Sequence, residues 1–276
     1  MFSLNCRGRL LLIEQPLVMG ILNVNGDSFY AESRLQSAEA IFKKAGQMIH
    51  EGADILDIGG QSTRPGSARI SPGEELSRVL PAIELIKKQF PEVIISVDTY
   101  DASVARQAVD AGASIVNDIS AGEKDKTMHA TVAKLGAPYI CMHMKGTPET
   151  MQEEAVYENI TKEVLDYFIR KIYQLRQAGI KDIIIDPGFG FAKTISQNLT
   201  LLRNLPLLKI TNLPLVAGLS RKSTVYKTLN IPVENSLNGS TVLHTMALQN
   251  GADILRVHDV KEAKETIALF VAYGKA

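Results

Sequence analysis

Apolar positions along this chain fall into two alternating kinds of segment. Short runs dominated by β-branched and other apolar residues, at Leu17 to Leu22, Val93 to Val97, Pro138 to Met142 and Leu213 to Leu219, have the near-continuous hydrophobicity of strands covered on both faces, as in a parallel sheet. Between them, Ala38 to Ile49, Glu74 to Phe90, Ala102 to Ala111, Tyr157 to Ala178 and Val260 to Tyr273 repeat apolar residues at helical spacing, which predicts amphipathic helices. One phrase recurs where helix gives way to strand: Gly52-Ala-Asp-Ile-Leu-Asp57, Gly112-Ala-Ser-Ile-Val-Asn117 and Gly251-Ala-Asp-Ile-Leu-Arg256, with a looser copy from Gly179 to Asp186. Glycine suits the position just past a last helical turn, because it enters the left-handed region without a Cβ clash.

These runs total about eight strands, each followed by a helix. Uninterrupted βα alternation in a chain of this length predicts an α/β fold, a (β/α)8 TIM barrel spanning residues 1–276 as one domain. A doubly wound open sheet is the competing arrangement. Arg7-Gly8 between short apolar stretches predicts a short N-terminal β-hairpin closing the barrel floor. Ser71-Pro72-Gly73-Glu74 reads as a capping box with proline at the first helical position, and Asp101 and Asp259 stand where N-caps are expected.

Composition leaves this picture intact and narrows the function. The chain has 276 residues, 45% hydrophobic and 22% charged, enough for a full core. Its 30 basic and 30 acidic residues cancel, so no global field favours nucleic acid or an anionic membrane. No run approaches the ~20 apolar residues of a membrane span, and Met1 to Leu12 lacks the features of a signal peptide. Cys6 and Cys141 read as free thiols in a reducing compartment. A soluble cytoplasmic protein is expected.

In such a barrel the active site lies at the carboxyl ends of the strands. Those ends carry Asn23, Asp57, Asp98 with Thr99, Asn117 with Asp118, His143, Asp186, Ser220 with Arg221 and Lys222, and Arg256 with His258 and Asp259. Any one could be an N-cap or turn residue. Together they suit a flat heterocycle with donor and acceptor edges, because buried polar groups need partners. Arg64, Lys222, Arg256 and His258 suggest an anion such as diphosphate. The plentiful oxygen ligands favour a hard cation such as Mg2+ over zinc. His50, His129 and His244 fall in helical stretches and read as structural. The loops Asn25 to Arg34 and Gly59 to Pro72 have the composition of lids over the mouth.

At this point the chain resembles the dihydropteroate synthases along nearly its whole length. The resemblance is carried by Met19-Gly-Ile-Leu-Asn-Val24, Asp57-Ile-Gly-Gly-Gln-Ser-Thr-Arg-Pro-Gly66, Ser96-Val-Asp-Thr99, Val116-Asn-Asp-Ile-Ser120, Met142-His-Met-Lys-Gly-Thr-Pro148, Asp186-Pro-Gly-Phe-Gly-Phe191, Gly218-Leu-Ser-Arg-Lys-Ser223 and Arg256-Val-His-Asp259. It implies a transferase of folate biosynthesis that condenses 6-hydroxymethyl-7,8-dihydropterin diphosphate with 4-aminobenzoate, releasing 7,8-dihydropteroate and diphosphate. It implies a pterin pocket of Asp98, Asn117, Met142, Asp186, Lys222 and Arg256. It implies a diphosphate site of Asn23, Thr63, Arg64, Arg256 and His258, with Asn23 touching Mg2+, and a 4-aminobenzoate site of Thr63, Pro65, Phe191, Lys222 and Ser223. Asp98, Asp186, Lys222, Arg256 and His258 would carry the chemistry. Sulfonamide competition and a homodimer through the late barrel helices are implied as well.

The sequence departs from the family in its first loop, where Asn25-Gly26 replaces the usual Thr-Pro and Ala31-Glu32-Ser33-Arg34 replaces a glycine pair. Gln61 stands where many relatives have Glu. A pterin-binding methyltransferase domain shares the barrel and the pterin-contacting Asp and Asn, but not the Ser-Thr-Arg-Pro-Gly and Ser-Arg-Lys-Ser phrases. A catalytically silent pterin-binding barrel is the rival from another class.

Overall fold

The computed structural model describes residues 1–24, 33–61, 69–147, 150–151 and 154–276. The chain opens with an antiparallel hairpin, β1 (Phe2–Cys6) and β2 (Arg9–Ile13). Its turn residues Arg7 and Gly8 both have positive φ, 56° and 87°, as the two-residue turn that matches strand twist requires. Eight parallel strands follow: β3 (Leu17–Asn23), β4 (Ile55–Gly59), β5 (Ile94–Asp98), β6 (Ile115–Asp118), β7 (Tyr139–Met142), β8 (Ile183–Asp186), β9 (Val216–Ala217) and β10 (Ile254–Val257). They pair in the order β8-β7-β6-β5-β4-β3-β10-β9. A parallel bridge between Ile185 and Leu215 joins β8 to the approach of β9 and closes the cylinder. The barrel and the floor hairpin are therefore as the sequence predicts. Only β9 is shorter than its apolar run suggests.

Helices α1 (Ser33–His50), α2 (Pro72–Gln89), α3 (Ala102–Ala111), α4 (Met128–Leu135), α5 (Ile160–Gln177), α6 (Ile195–Arg203), α7 (Ser223–Leu229), α8 (Leu237–Gln249) and α9 (Val260–Tyr273) surround it. Two separate cores follow from strand alternation. Outward residues such as Val18, Leu56, Val97, Val116 and Ile185 pack under the helices. Inward residues at the starts of the strands, Met19, Ile55, Ile94, Ile115, Ile140, Ile184, Val216 and Ile254, form a plug with Leu4, Cys6 and Ile13 of the hairpin. Arg7 and Arg9 fasten that hairpin by donating to the carbonyls of Val109 and Glu92.

The recurring glycine phrase has one structural meaning in all its copies. Gly52, Gly112, Gly179 and Gly251 have φ of 98°, 126°, 93° and 91°. In each case the amide of the next residue reaches back into the last helical turn, as Ala53 does to Met48 at 2.9 Å and Ala252 to Ala247 at 2.9 Å. This is the left-handed helix stop that glycine permits. In the two copies that carry an aspartate two residues on, it then caps the floor of the neighbouring strand. Asp54 Oδ2 accepts from the Val18 amide at 2.7 Å and Lys264 at 2.9 Å, and Asp253 Oδ2 from the Leu215 amide at 2.8 Å and Lys209 at 2.7 Å.

The capping expectations hold in part. Asp101 caps α3 through the amides of Ser103 and Val104, and Ser71 accepts from the Glu74 amide with Pro72 in the first turn of α2. Glu74 itself binds Arg78. Asp259 precedes α9 without a side-chain cap, because Arg221 holds both of its oxygens, at 2.9 and 2.8 Å.

Candidate active site

Strand register, not proximity in sequence, builds the barrel mouth. Asn23 pairs with Gly59, Gly59 with Asp98, and Asp98 with Asn117. Met142 pairs with Asp186 on the far side. Because paired residues on adjacent strands lie about 5 Å apart and share a face, these side chains meet inside the upper barrel. A Cβ added at Gly59 would stand 3.4 Å from the Asp98 Cβ and 3.8 Å from Asn23 Oδ1, ordinary contact distances that show the three positions facing one space.

Arg256, on β10, reaches across this level. Its Nε donates to Asp57 Oδ2 at 2.7 Å and its Nη2 to Asp98 Oδ2 at 2.6 Å, while Nη2 also lies 2.6 Å from Asp57 Oδ2 as an ion pair. Asn117 Nδ2 donates to the same Asp57 oxygen at 3.0 Å. Burial alone would lower the Arg256 pKa, but Asp57 and Asp98 more than offset it and hold the guanidinium charged. Asp57 Oδ1 and Ser96 Oγ, in paired register on β4 and β5, have no hydrogen-bond partner among the described residues. A polar ligand entering the barrel would find them available.

Lys222 enters from the other wall. Its ammonium donates to the Phe189 carbonyl and lies 4.8 Å from the centre of the Phe191 ring. Burial pulls its pKa down to about 8, against the pull of Asp186. Asp186 Oδ1 accepts from the Gly188 amide at 2.7 Å; burial raises its pKa while Lys222, that hydrogen bond and Arg256 oppose the rise. Burial likewise raises Asp98 to about 7, with Arg256 opposing and Asp57 and Glu75 reinforcing. Phe191 packs with Met142, Tyr100, Ile119 and Met151 in an apolar cluster on one side of the mouth.

The structure therefore brings together Asn23, Asp98, Asn117, Met142, Asp186, Phe191, Lys222 and Arg256. Ser223 begins α7 next to Lys222. Thr63, Arg64 and Pro65, with residues 25–32 and 62–68 of the two loops expected to act as lids, lie outside the described residues. His258 is at the mouth, but it differs from the cation expected of it. Burial and the nearby Arg256 lower its pKa to about 4, so the imidazole is neutral near pH 7. Its Nδ1 lies 3.1 Å from Ser220 Oγ.

Asp118 does not belong to the site. It follows Asn117 and so points outward, where it accepts from the Tyr139 hydroxyl at 2.7 Å and from Ser120 and Gly122. Two residues given no role in the implied pockets, Asp57 (named only as a strand-end group) and Lys193, hold other site residues in place. Asp57 anchors Arg256, and its inward parity on β4 was the available signal. Lys193 is fully buried behind the Phe191 loop, and nothing in local pattern marks it. His129 binds the Ala121 carbonyl and His244 is buried in α8, consistent with structural roles.

Comparison with known proteins fits this geometry. Residues 19–258 match the family model described as pterin binding enzyme. Dihydropteroate synthase from Escherichia coli strain K12 is 44% identical over 272 residues, covering 98% of this chain and 96% of that one.

The chain belongs to the dihydropteroate synthase family.

A Haemophilus influenzae dihydropteroate synthase is 38% identical over 276 residues, covering 99% of this chain and all of its own length. The Xanthomonas albilineans dihydropteroate synthase solved with 4-aminobenzoic acid superimposes with a TM-score of 0.91 at 38% identity, covering 99% of this chain and 98% of that one. The same enzyme in complex with 7,8-dihydropteroate gives 0.89 at 36% identity over the full length of both. The chain is thus an enzyme, a transferase of folate biosynthesis. The Asn25-Gly26 departure lies outside the described residues.

Proposed function

We propose that the barrel mouth joins 6-hydroxymethyl-7,8-dihydropterin diphosphate to 4-aminobenzoate with the residue roles that follow, the whole chain acting as one pterin-binding domain. The carrying observation is that Asp98, Asp186, Lys222 and Arg256, from four separate strand ends, converge with mutual charge coupling in one buried mouth. Asp98, Asp186 and Asn117 supply acceptors for the amino-pyrimidinone edge, Lys222 donates to the ring carbonyl, and Met142 is the apolar wall. Arg256 stacks its guanidinium on the pterin and reaches the diphosphate with Asn23, Thr63, Arg64 and neutral His258. Phe191, Pro65, Thr63, Lys222 and Ser223 receive 4-aminobenzoate.

In this reading the pterin methylene C–O bond breaks, its electron pair leaves with the diphosphate, and the arylamine nitrogen attacks the resulting cation and loses a proton. The chain supplies no nucleophile; orientation and charge stabilisation carry the rate. The Asn23 side-chain oxygen faces the opening left by Gly59, a donor that fits Mg2+. Magnesium typically takes few protein ligands and completes its shell with water and substrate phosphate; bound there, it would neutralise the leaving group. Lys222→Ala should weaken pterin binding at least about tenfold in a calorimetric titration while the barrel stays folded; unchanged affinity would contradict the pocket. Sulfonamides should compete with 4-aminobenzoate in a steady-state assay, as the complex of a Yersinia pestis relative, 39% identical with TM-score 0.91, with a sulfonamide drug suggests.

A homodimer through the late helices is part of the same proposal. A groove of about 750 Å3 between α8 and α9 is lined by Leu237, Thr241, Leu269, Phe270 and Tyr273, and Leu269 and Tyr273 are exposed. Such an apolar surface is what a self-complementary interface would cover. Sedimentation of Leu269→Asp against the unaltered chain tests it. No helix among the described residues is long and apolar enough to cross a membrane; with buried free Cys6 and Cys141, a cytoplasmic location is the reading that fits.

A further inference from the structure

The segment from Asp186 to Lys193 is folded around two ammonium groups. Gly188, Gly190 and Ala192 all have positive φ, 70°, 83° and 49°. This alternation turns successive carbonyls to different sides. The Phe189 carbonyl goes to Lys222. On the other side Lys193 Nζ donates to the carbonyls of Phe191 at 2.9 Å, Gly188 at 3.0 Å and His143 at 3.3 Å, and lies 3.0 Å from His143 Nδ1. Three N–H bonds shared among four acceptors saturate the ammonium.

A buried lysine with this set of partners is costly to maintain unless it does something that a packed apolar side chain would not. Lys193 ties the loop after β8 to the loop after β7. It grips the loop on both sides of Phe189, at Gly188 and Phe191, while Phe189 is the residue that Lys222 holds. Asn198 Oδ1 adds a further clamp by accepting from the Gly190 amide at 2.8 Å. The result is a rigid frame carrying both the Phe191 ring and the Lys222 ammonium.

We propose that Lys193 is a positioning residue for the acceptor substrate: by holding the Gly188–Phe191 loop, it sets the aromatic wall against which 4-aminobenzoate lies. The inference rests on the assignment of Phe191 to the aminobenzoate site. Lys193 touches neither substrate. Its loss acts mainly on the acceptor side: the pterin contacts Asp98, Asn117 and Arg256 stand on β5, β6 and β10, away from this loop, while Asp186 and Lys222, which touch it through the Gly188 amide and the Phe189 carbonyl, pass a smaller part of the disturbance to the pterin. The groups facing it are Asp186, Lys222, Lys145 and His143. Burial lowers its own pKa to about 7 and, with the Lys193 charge, lowers that of His143, so His143 is neutral and its Nδ1 accepts.

The experiment compares Lys193→Met, Lys193→Gln and Phe191→Ala with the unaltered chain, measuring KM for 4-aminobenzoate, kcat, and pterin affinity by calorimetry. Lys193→Met should raise KM for 4-aminobenzoate by about tenfold or more and weaken pterin affinity by a clearly smaller factor, with Lys193→Gln intermediate. Equal losses for both substrates, or no change in KM, would overturn the inference. If Phe191→Ala leaves that KM unchanged, the wall assignment itself fails. A shift with Phe191→Ala but none with Lys193→Met sinks only the role of Lys193. Should the Lys193 variants not fold, lysine Nζ NMR of the unaltered chain replaces them. By reciprocal linkage, 4-aminobenzoate added to the pterin-loaded enzyme should raise the pH at which Lys193 titrates. An unmoved titration would refute the proposal.

Discussion

Arg256 and Asp57 are joined through a single carboxylate oxygen: Asp57 Oδ2 accepts from Nε of Arg256 at 2.7 Å and pairs ionically with Nη2 at 2.6 Å, while Oδ1 stays without a partner among the described residues. Asp57 is completely buried, so among the described residues its partners, Arg256 and Asn117, all meet it at this one oxygen. Because Arg256 is also the proposed bridge from pterin to diphosphate, the pair couples barrel stability to substrate binding.

Removing the anchor should show both effects. Asp57→Ala leaves a buried guanidinium with Asp98 as its remaining carboxylate, and breaking such a pair costs about 3–5 kcal/mol. Asp57→Asn keeps the shape and should fold, yet lose about tenfold in pterin affinity. Chemical denaturation and calorimetry measure the two. An Asn variant that binds pterin normally would detach Asp57 from function.

Asp98 gives binding a pH dependence. Burial raises its pKa to about 7, so it is largely protonated at pH 6 and ionised at pH 8. Only the carboxylate can accept from two pterin N–H donors. Pterin affinity should rise about tenfold between those pH values, and Asp98→Asn should flatten the dependence. A flat profile in the unaltered chain would count against Asp98 as the pterin acceptor.

Glu75 predicts a pH dependence of stability instead. It is buried in the first turn of α2, and Oε1 has no partner among the described residues. Burial and then Asp101 raise its pKa to about 7, against the Thr99 hydrogen bond, Arg69 and Arg78. The native state therefore holds a proton that the unfolded chain gives up near pH 4.5. This contribution to stability is complete below about pH 4.5 and is lost as pH rises through about 7. Glu75→Gln should stabilise the protein by roughly 1–3 kcal/mol at pH 8 and little at pH 4.5. Equal effects at both pH values would refute the assignment.

Gly188 tests the close approach of the two loops. With φ of 70°, an added Cβ would stand 2.1 Å from the His143 carbonyl oxygen. Gly188→Ala should cost about 2 kcal/mol or more from backbone strain and displacement, together with a marked loss of activity. Normal thermal stability and turnover would show that the loop relaxes more freely than its contacts indicate.

Much of this molecule is legible without coordinates, because local rules generate it. The short apolar runs of buried strands and the helical repeat between them locate the elements to within a few residues. The glycine phrase marks helix stops through a backbone requirement that any left-handed turn shares. The eight motifs name most of the mouth, since inward parity on a parallel strand is itself a sequence property: Asp98, Asn117, Asp186 and Arg256 each stand an even number of residues from an inward apolar residue of the plug.

Other features depend on which strands become neighbours and on what surrounds a side chain. Asp259 looks like a cap until Arg221 takes its carboxylate. His258 looks cationic until burial beside Arg256 removes its proton. Lys193 is an ordinary lysine until the fold wraps four acceptors from three residues around it. Pairing, desolvation and charge coupling act between residues far apart in the chain, 210 positions in the case of Asp54 and Lys264. The sequence by itself therefore determines the elements, the barrel and the identity of the groups at its mouth. Only the tertiary structure decides their protonation, their partners and which of them hold the others in place.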